Sequence, residues 1–185
     1  MKRTKPGNIP ADVYIQFVRS LFNSVHTVLA GAWIHAFLAF LIFWKSGYLI
    51  YAEMAVLLLI VGIWRYVGML KFHRSEQILD ESDAKKWEKH YIIRGSVQAF
   101  SLGLFCFVAF IIARDHFAEI AAVSILFGSI VTVAGRNYGS PRMVTIFSAC
   151  FLIPYGLGLI LRGDIAHILL GVMNIPFFLI VSGTA

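Results

Sequence analysis

Six apolar runs alternate with short polar segments along the chain: Val25 to Trp44, Ile50 to Leu70, Gly95 to Ala113, Phe117 to Gly135, Met143 to Leu161 and Ile165 to Thr184. At about 1.5 Å of rise per residue, each is long enough or nearly so to cross about 30 Å of hydrocarbon as a helix. The pattern therefore predicts an all-α, polytopic membrane protein built as a bundle of six transmembrane helices. The second run contains Glu53 and Arg65, each near enough to an end for its side chain to snorkel to the interface. The fourth is bracketed by Glu119 and Arg136 and has to recruit its flanks to span.

Two segments outside these runs also carry a pattern. From Ala11 to Asn23 the polar residues Asp12, Gln16, Arg19 and Asn23 recur at helical spacing, while Val13, Phe17 and Leu21 mark another face. This predicts an amphipathic helix, entered through Pro10, lying along the membrane surface before the first span. Residues 1–24 thus form a cytoplasmic N-terminus with an interfacial helix, and residues 25–185 the six-helix domain, with a charged cytoplasmic loop at 71–94. Within that loop Glu81 and Lys85 form an i,i+4 pair that favours a helical extension of the third span.

Composition agrees with this division. The chain of 185 residues is 59% hydrophobic and only 14% charged, outside the range of an ordinary soluble domain. Its formal charge of +6 does not imply nucleic-acid binding, because the basic residues are dealt out between apolar runs. Only Lys45, Arg114 and Arg162 fall on one side of the predicted membrane; the other 13 of the 16 lysines and arginines fall on the opposite side. By the positive-inside rule both termini and the long second loop are cytoplasmic. No cleavable signal is expected, since Pro6, Gly7 and Pro10 break the segment after the basic start. Cys106 and Cys150 lie inside apolar runs without metal-ligand or CxxC spacing and read as small hydrophobes. No catalytic cluster, metal site or cofactor is predicted, and membrane lipids are the expected surroundings.

Polar residues inside apolar runs are costly enough to mark the bundle interior. In the first span Gly31, His35 and Ala39 form an i,i+4 stripe, widened by Ala32 and Ala36, that turns His35 inward. Its simplest role is packing with one interhelical hydrogen bond; ligand, proton or haem binding is the alternative. A bis-histidine haem is disfavoured, because His35 and His167 lie at different depths. In the sixth span His167, Gly171 and Asn174 precede Pro176, and a kink stabilised by Asn174 is preferred over a ligand cavity between the first and sixth spans. Arg94, Gln98 and Ser101 share one face of the third span. No carboxylate lies well inside a span, which disfavours proton-driven transport.

The segment from Gly135 through Arg136 and Asn137 to Pro141 and Arg142 is the most distinctive. Gly135 can end the fourth helix, and Ser140 and Pro141 suit the N-cap and first position of the fifth. A tight turn anchored by two interfacial arginines is the simpler reading; Arg136 beside free helix amides can also hold an anion such as a lipid phosphate. In the fifth span Pro154, with Gly156 and Gly158, predicts a bend.

These features resemble the six-span N-terminal membrane input region of bacterial diguanylate cyclases and related GGDEF/EAL-type cyclic-di-GMP signalling proteins. The residues that carry the resemblance are Arg19-Ser20-Leu21-Phe22, Trp87, the turn from Gly135 through Pro141, and Pro154 with Gly156 and Gly158. Phe22 stands where that pattern carries tyrosine, and the third span lacks an interior tryptophan-glycine pair. The resemblance implies a sensory or anchoring module with a C-terminal cytoplasmic output domain, whose cyclase chemistry would belong to residues outside this sequence. It is compatible with a homo-oligomer. Candidate ligand or signal-coupling residues are His35, Gln98, Arg136, Asn137, Pro154, His167 and Asn174. The alternatives are a small transporter or permease subunit, and after it an integral membrane lipid-modifying enzyme or a scaffold.

Overall fold

The computed structural model describes residues 10–75, 80–113, 115–137 and 139–183. Pro6, Gly7, Arg114 and Thr184, named above, lie outside the described residues. The described chain runs through α1 (Ala11–Leu21), α2 (Val25–Ser46), α3 (Leu49–Arg74), α4 (Glu81–Val108), α5 (His116–Asn137), α6 (Pro141–Arg162) and α7 (Ile165–Gly183), with a π-helical turn at Ala109–Ala113 closing α4. Among the described residues six helical stretches are long and apolar enough to cross a membrane. The fold is all-α and the chain is a multi-pass membrane protein.

Helix ends follow local chemistry. Gly47 and Gly163 adopt φ of 74° and 89°, the left-handed conformation that ends a helix and that glycine reaches without steric penalty. They close α2 and α6 and reverse the chain. The Asp80 carboxylate accepts from the Asp83 amide at 2.8 Å to start α4, with Glu81 and Asp83 favourably placed in its first turn. Ser140 caps α6 in the same way, and Pro141 occupies its first turn.

The helical extension expected of the third span is present, with α4 beginning at Glu81 and the Glu81–Lys85 ion pair at 2.6 Å on that first turn. Two expectations about elements are corrected. Gly135 does not end α5, which runs on to Asn137; Gly135 is not among the glycines with positive φ. The buried face of α1 passes through Val18 and Leu21, with Val13 exposed. It turns that way because α1 docks on α4, where the Tyr14 hydroxyl donates to the Glu88 carboxylate.

The interior is organised around α4 and α6, which bury the most residues. Between hydrocarbon-soluble helices there is little hydrophobic driving force, so close packing and interhelical hydrogen bonds have to hold the bundle. Gly103 is the clearest case: a Cβ there would lie 2.6 Å from the Phe151 carbonyl oxygen and 2.9 Å from that of Cys150. The Cys150 carbonyl is the one that Pro154 leaves without its i+4 amide, and α4 approaches it through a residue with no side chain. The stripe of α2 that packs on α3 is Ala32, Ala36 and Ala39. A Cβ at Gly62 would sit 2.1 Å from that of Ala32. Gly31 and His35 are turned away from this seam.

α1, the α3–α4 and α5–α6 connections and the last turn of α7 share one end of the bundle, the basic end. Phe22 stacks on Phe72 at 3.9 Å and meets Trp87 and Tyr91 edge-on, pairs worth about 0.5–1.5 kcal/mol each beyond their burial. The open carbonyls at the end of α1 are taken by cation-type donors: Arg136 donates to the Leu21 carbonyl at 2.7 Å and His73 Nε2 to that of Phe22 at 2.9 Å.

Candidate functional site

α2 packs along α3, and α5 along α6 and α4, but α2 and α5 meet at few points. The space between them, floored by α4, is a cavity of about 770 Å³. On α2 it extends from Thr27 to Leu41, about 21 Å of helix. Its mouth is lateral: Ile34 and Phe37 on α2, and Gly128 and Thr132 on α5, line it and are exposed on the flank of the bundle.

The lining changes character along that length. Toward the basic end it carries Arg65, Tyr91, Gln98, Arg136 and Asn137; toward the other end it is made by Leu38, Leu41, Leu102, Ala121, Ile125 and Phe151. At mid-height His35 Nε2 is hydrogen-bonded to Ser129 Oγ at 3.2 Å, each residue about 12 Å along its helix from the basic end of the cavity.

Arg65 and Arg136 define the polar end. Arg65 Nη1 donates to Gln98 Oε1 at 2.8 Å, and Nη2 to the Tyr91 hydroxyl at 3.4 Å. The guanidinium carbons of Arg65 and Arg136 lie 5.4 Å and 5.9 Å from the centroid of the one Tyr91 ring, within cation–π range. Among the described residues neither arginine has an ion-pair partner within 4.0 Å. Arg65 Nε, Arg136 Nε, Asn137 Oδ1 and His35 Nδ1 are buried without a hydrogen-bond partner. Four incompletely satisfied polar groups around one cavity depart from the usual saturation of buried polar atoms. Guanidinium stays charged here, so the polar end holds two positive charges balanced only by neutral acceptors.

Four of the seven residues singled out in the sequence, His35, Gln98, Arg136 and Asn137, therefore line one cavity. It lies between the first and fourth spans and not between the first and sixth: its lining comes from α2 to α6, while α7 packs chiefly along α6, with Phe177 edge-on to Phe127 of α5 at 5.2 Å. Asn174 does not serve the Pro176 kink: its side-chain amide donates to the Leu152 carbonyl of α6 at 2.8 Å. His167 sits at the opposite end of the bundle, with Nδ1 2.6 Å from the Asp164 carboxylate. Pro154 is buried beside Gly103, and a Cβ at Gly158 would lie 3.0 Å from Phe107 Cα. Arg94 stacks over Trp64 at 5.3 Å, outside the cavity.

Arg65 departs from the snorkelling expected of it, bonding inward to α4. A signal for this was available: Arg65 is nine residues from the end of α3 at Arg74, about 13 Å, a long reach to the interface. Tyr91 and Ser129 carried no such signal, since aromatic and hydroxyl side chains are common in membrane helices. At the opposite end Glu119 is buried and ion-paired with Arg162, whose Nη1 also reaches the Phe110 carbonyl in the π-helical turn at 3.4 Å. This pair ties α5, α6 and the end of α4. Among the described residues no group of three or more His, Cys, Asp or Glu is placed to hold a metal.

Protein-family models, curated proteins and solved structures were all compared with the chain, and none matches it.

Proposed function

We propose that the chain is a membrane-embedded sensory input module of a bacterial signalling protein, set in the inner membrane with the basic end in the cytoplasm. The resemblance described above supports a cyclic-di-GMP output. The observation that carries the reading is the lateral cavity between α2 and α5, whose wall includes Phe147 and Phe151 of α6, about two turns and one turn before Pro154 respectively. A ligand touching these rings bears on the helix whose backbone bonding is interrupted at Pro154, and α6 is joined to α7 through Asn174 and the Leu152 carbonyl. Ligand occupancy can thereby bias a two-state packing of α6 and α7 and the position of the basic end of α7.

The 13 to 3 division of basic residues supports the orientation. The mechanism asks nothing catalytic of these residues: they bind, bend and transmit. A Cβ at Gly128 meets nothing within 4 Å, so Gly128→Phe adds a ring at the cavity mouth without a clash at Cβ. Cyclic di-GMP is to be measured in the host bacterium carrying wild type, Gly128→Phe or a deletion of the gene, normalised to membrane-inserted protein. The expected result is a changed basal level in the deletion and a fixed, unresponsive level in Gly128→Phe. Equal levels in all three strains would discard the signalling reading.

A further inference from the structure

The cavity is electrically one-sided, and that identifies the chemistry of its occupant. We propose that it receives an anionic single-chain amphiphile, with the acidic head between Arg65 and Arg136 and the alkyl chain lying along α2 and α5 toward the opposite end. This rests on the reading of the chain as a ligand-receiving module and adds the class of ligand.

Three observations converge. Both guanidinium groups address one side of the bundle around the Tyr91 ring and lack a carboxylate among the described residues. An isolated cation in hydrocarbon is strongly unfavourable unless paired, whereas two forked donors match a phosphate or carboxylate. Arg65 and Arg136 also retain buried Nε atoms without a partner, so their protein contacts do not exhaust their hydrogen-bonding capacity. Gln98 and Tyr91 hold Arg65, and the Leu21 carbonyl holds Arg136, so the two charges are positioned in advance of binding.

The rest of the cavity selects against a free anion. Beyond His35 and Ser129 the lining is aliphatic and aromatic apart from Ser124, from Leu38 and Ile125 to Leu41 and Ala121. Its length of about 21 Å lies within the hydrocarbon thickness of about 30 Å. The lateral mouth between Ile34 and Gly128 lets a chain enter sideways from the bilayer. Phosphate alone would satisfy the arginines and leave this apolar channel unused. A neutral alkyl molecule would fill the channel and leave two charges unpaired. An anionic amphiphile satisfies both ends.

The test uses the full chain purified in a neutral maltoside detergent, with Gly128→Cys as a reporter at the cavity mouth. Its alkylation by a membrane-permeant maleimide, above the labelling of the native cysteines, is followed as dodecyl phosphate, dodecanol or inorganic phosphate is added. Dodecyl phosphate is expected to protect the cysteine with an apparent Kd at least about tenfold lower than dodecanol, since charge-assisted bonds in a desolvated site differ by that much or more. Inorganic phosphate should not protect. Arg65→Gln and Arg136→Gln should each erase the preference for the charged head, while Arg65→Lys and Arg136→Lys, which keep the charge and guard against misfolding, should retain part of it. Equal protection by dodecanol and dodecyl phosphate, or an unaltered preference in both Gln variants, would overturn the proposal. Protection by inorganic phosphate at the same concentration would also overturn it, assigning the site to a soluble anion. If the preference fails while Gly128→Phe still fixes cyclic di-GMP, the ligand class falls and the sensory reading stands; the reverse result leaves an amphiphile site without a signalling role.

Discussion

Asn174 of α7 donates its side-chain amide to the Leu152 carbonyl of α6 at 2.8 Å, two residues before Pro154. The contact is made possible by small residues on both helices. A Cβ at Gly156 would lie 2.9 Å from Asn174 Nδ2, and one at Gly171 would lie 3.3 Å from the Gly156 carbonyl oxygen. α7 buries only Gly171 fully and otherwise packs through partly buried Phe177, Phe178 and Val181, so this polar link is one of its few specific attachments.

Replacing Asn174 by leucine should therefore weaken the α6–α7 seam by about 1 kcal/mol, the usual scale of an interhelical hydrogen bond in lipid. The measurement is reversible unfolding in mixed micelles of dodecyl sulfate and maltoside. A variant as stable as wild type would mean that the apolar contacts of Phe177 and Phe178 hold α7 without help from Asn174.

Glycines of similar sequence context should behave differently. Gly103→Ala drives a methyl against the carbonyls of Phe151 and Cys150, which are backbone atoms and cannot rotate away, and it should destabilise by about 1–3 kcal/mol. Gly128→Ala meets nothing within 4 Å and should gain up to about 1 kcal/mol from helix propensity. The same unfolding titration reads both. A loss at Gly128 comparable to that at Gly103 would mean that α2 and α5 close on one another in the membrane.

The helices were legible because hydrocarbon demands long uninterrupted apolar runs; each run became one helix close to its expected ends, except that the helix of the third run begins well before Gly95, at Glu81. His35, Gln98, Arg136 and Asn137 were legible one at a time, as polar groups in an apolar setting. Their convergence was not, because it depends on which helices are neighbours. α7 lies chiefly against α6, and periodicity along a single helix says nothing of that. Arg65 was misjudged for a related reason: whether an arginine reaches for the interface or for a partner depends on Gln98 and Tyr91 standing opposite, which no local pattern encodes. The π-helical turn at Ala109–Ala113 had no sequence signal beyond an apolar run, and its carbonyl at Phe110 finds a donor only through the fold.

Between α6 and α7, the hydrogen bond from His167 to Asp164, followed by the His167 amide and Arg162, holds the Asp164 carboxyl down at about 2 from an ordinary 3.8. A depressed carboxylate contributes stability that is complete above 3.8 and fades as pH falls through about 2. The α6–α7 connection should therefore keep its cap on α7 at pH 4 and lose it between about pH 3.8 and 2. Carboxyl carbon NMR of Asp164 in detergent should show the low midpoint, and His167→Gln should move it upward. A midpoint near 3.8 in the unmodified protein would mean that the capping geometry is not maintained.

Glu119 and Arg162 form the most buried ion pair, with side chains 9% and 13% exposed. Removing water from both groups is unfavourable by several kcal/mol each, and their attraction recovers this only while both are present. Glu119→Leu leaves Arg162 facing the Phe110 carbonyl and the exposed Asp164 carboxylate, neither of which replaces a buried counter-charge. That variant should lose about 3 kcal/mol, the lower end for breaking a buried pair because Asp164 compensates in part. Replacing both, as Glu119→Leu with Arg162→Leu, removes the stranded charge as well and should bring stability back to within about 1 kcal/mol of wild type. The four members of this double-mutant cycle, unfolded in the same micelles, yield the coupling between the two residues directly. Losses in the double variant equal to the sum of the single losses would show the two side chains acting independently, and α5 would then be held at this end by Ala118 and Ala122 packing alone.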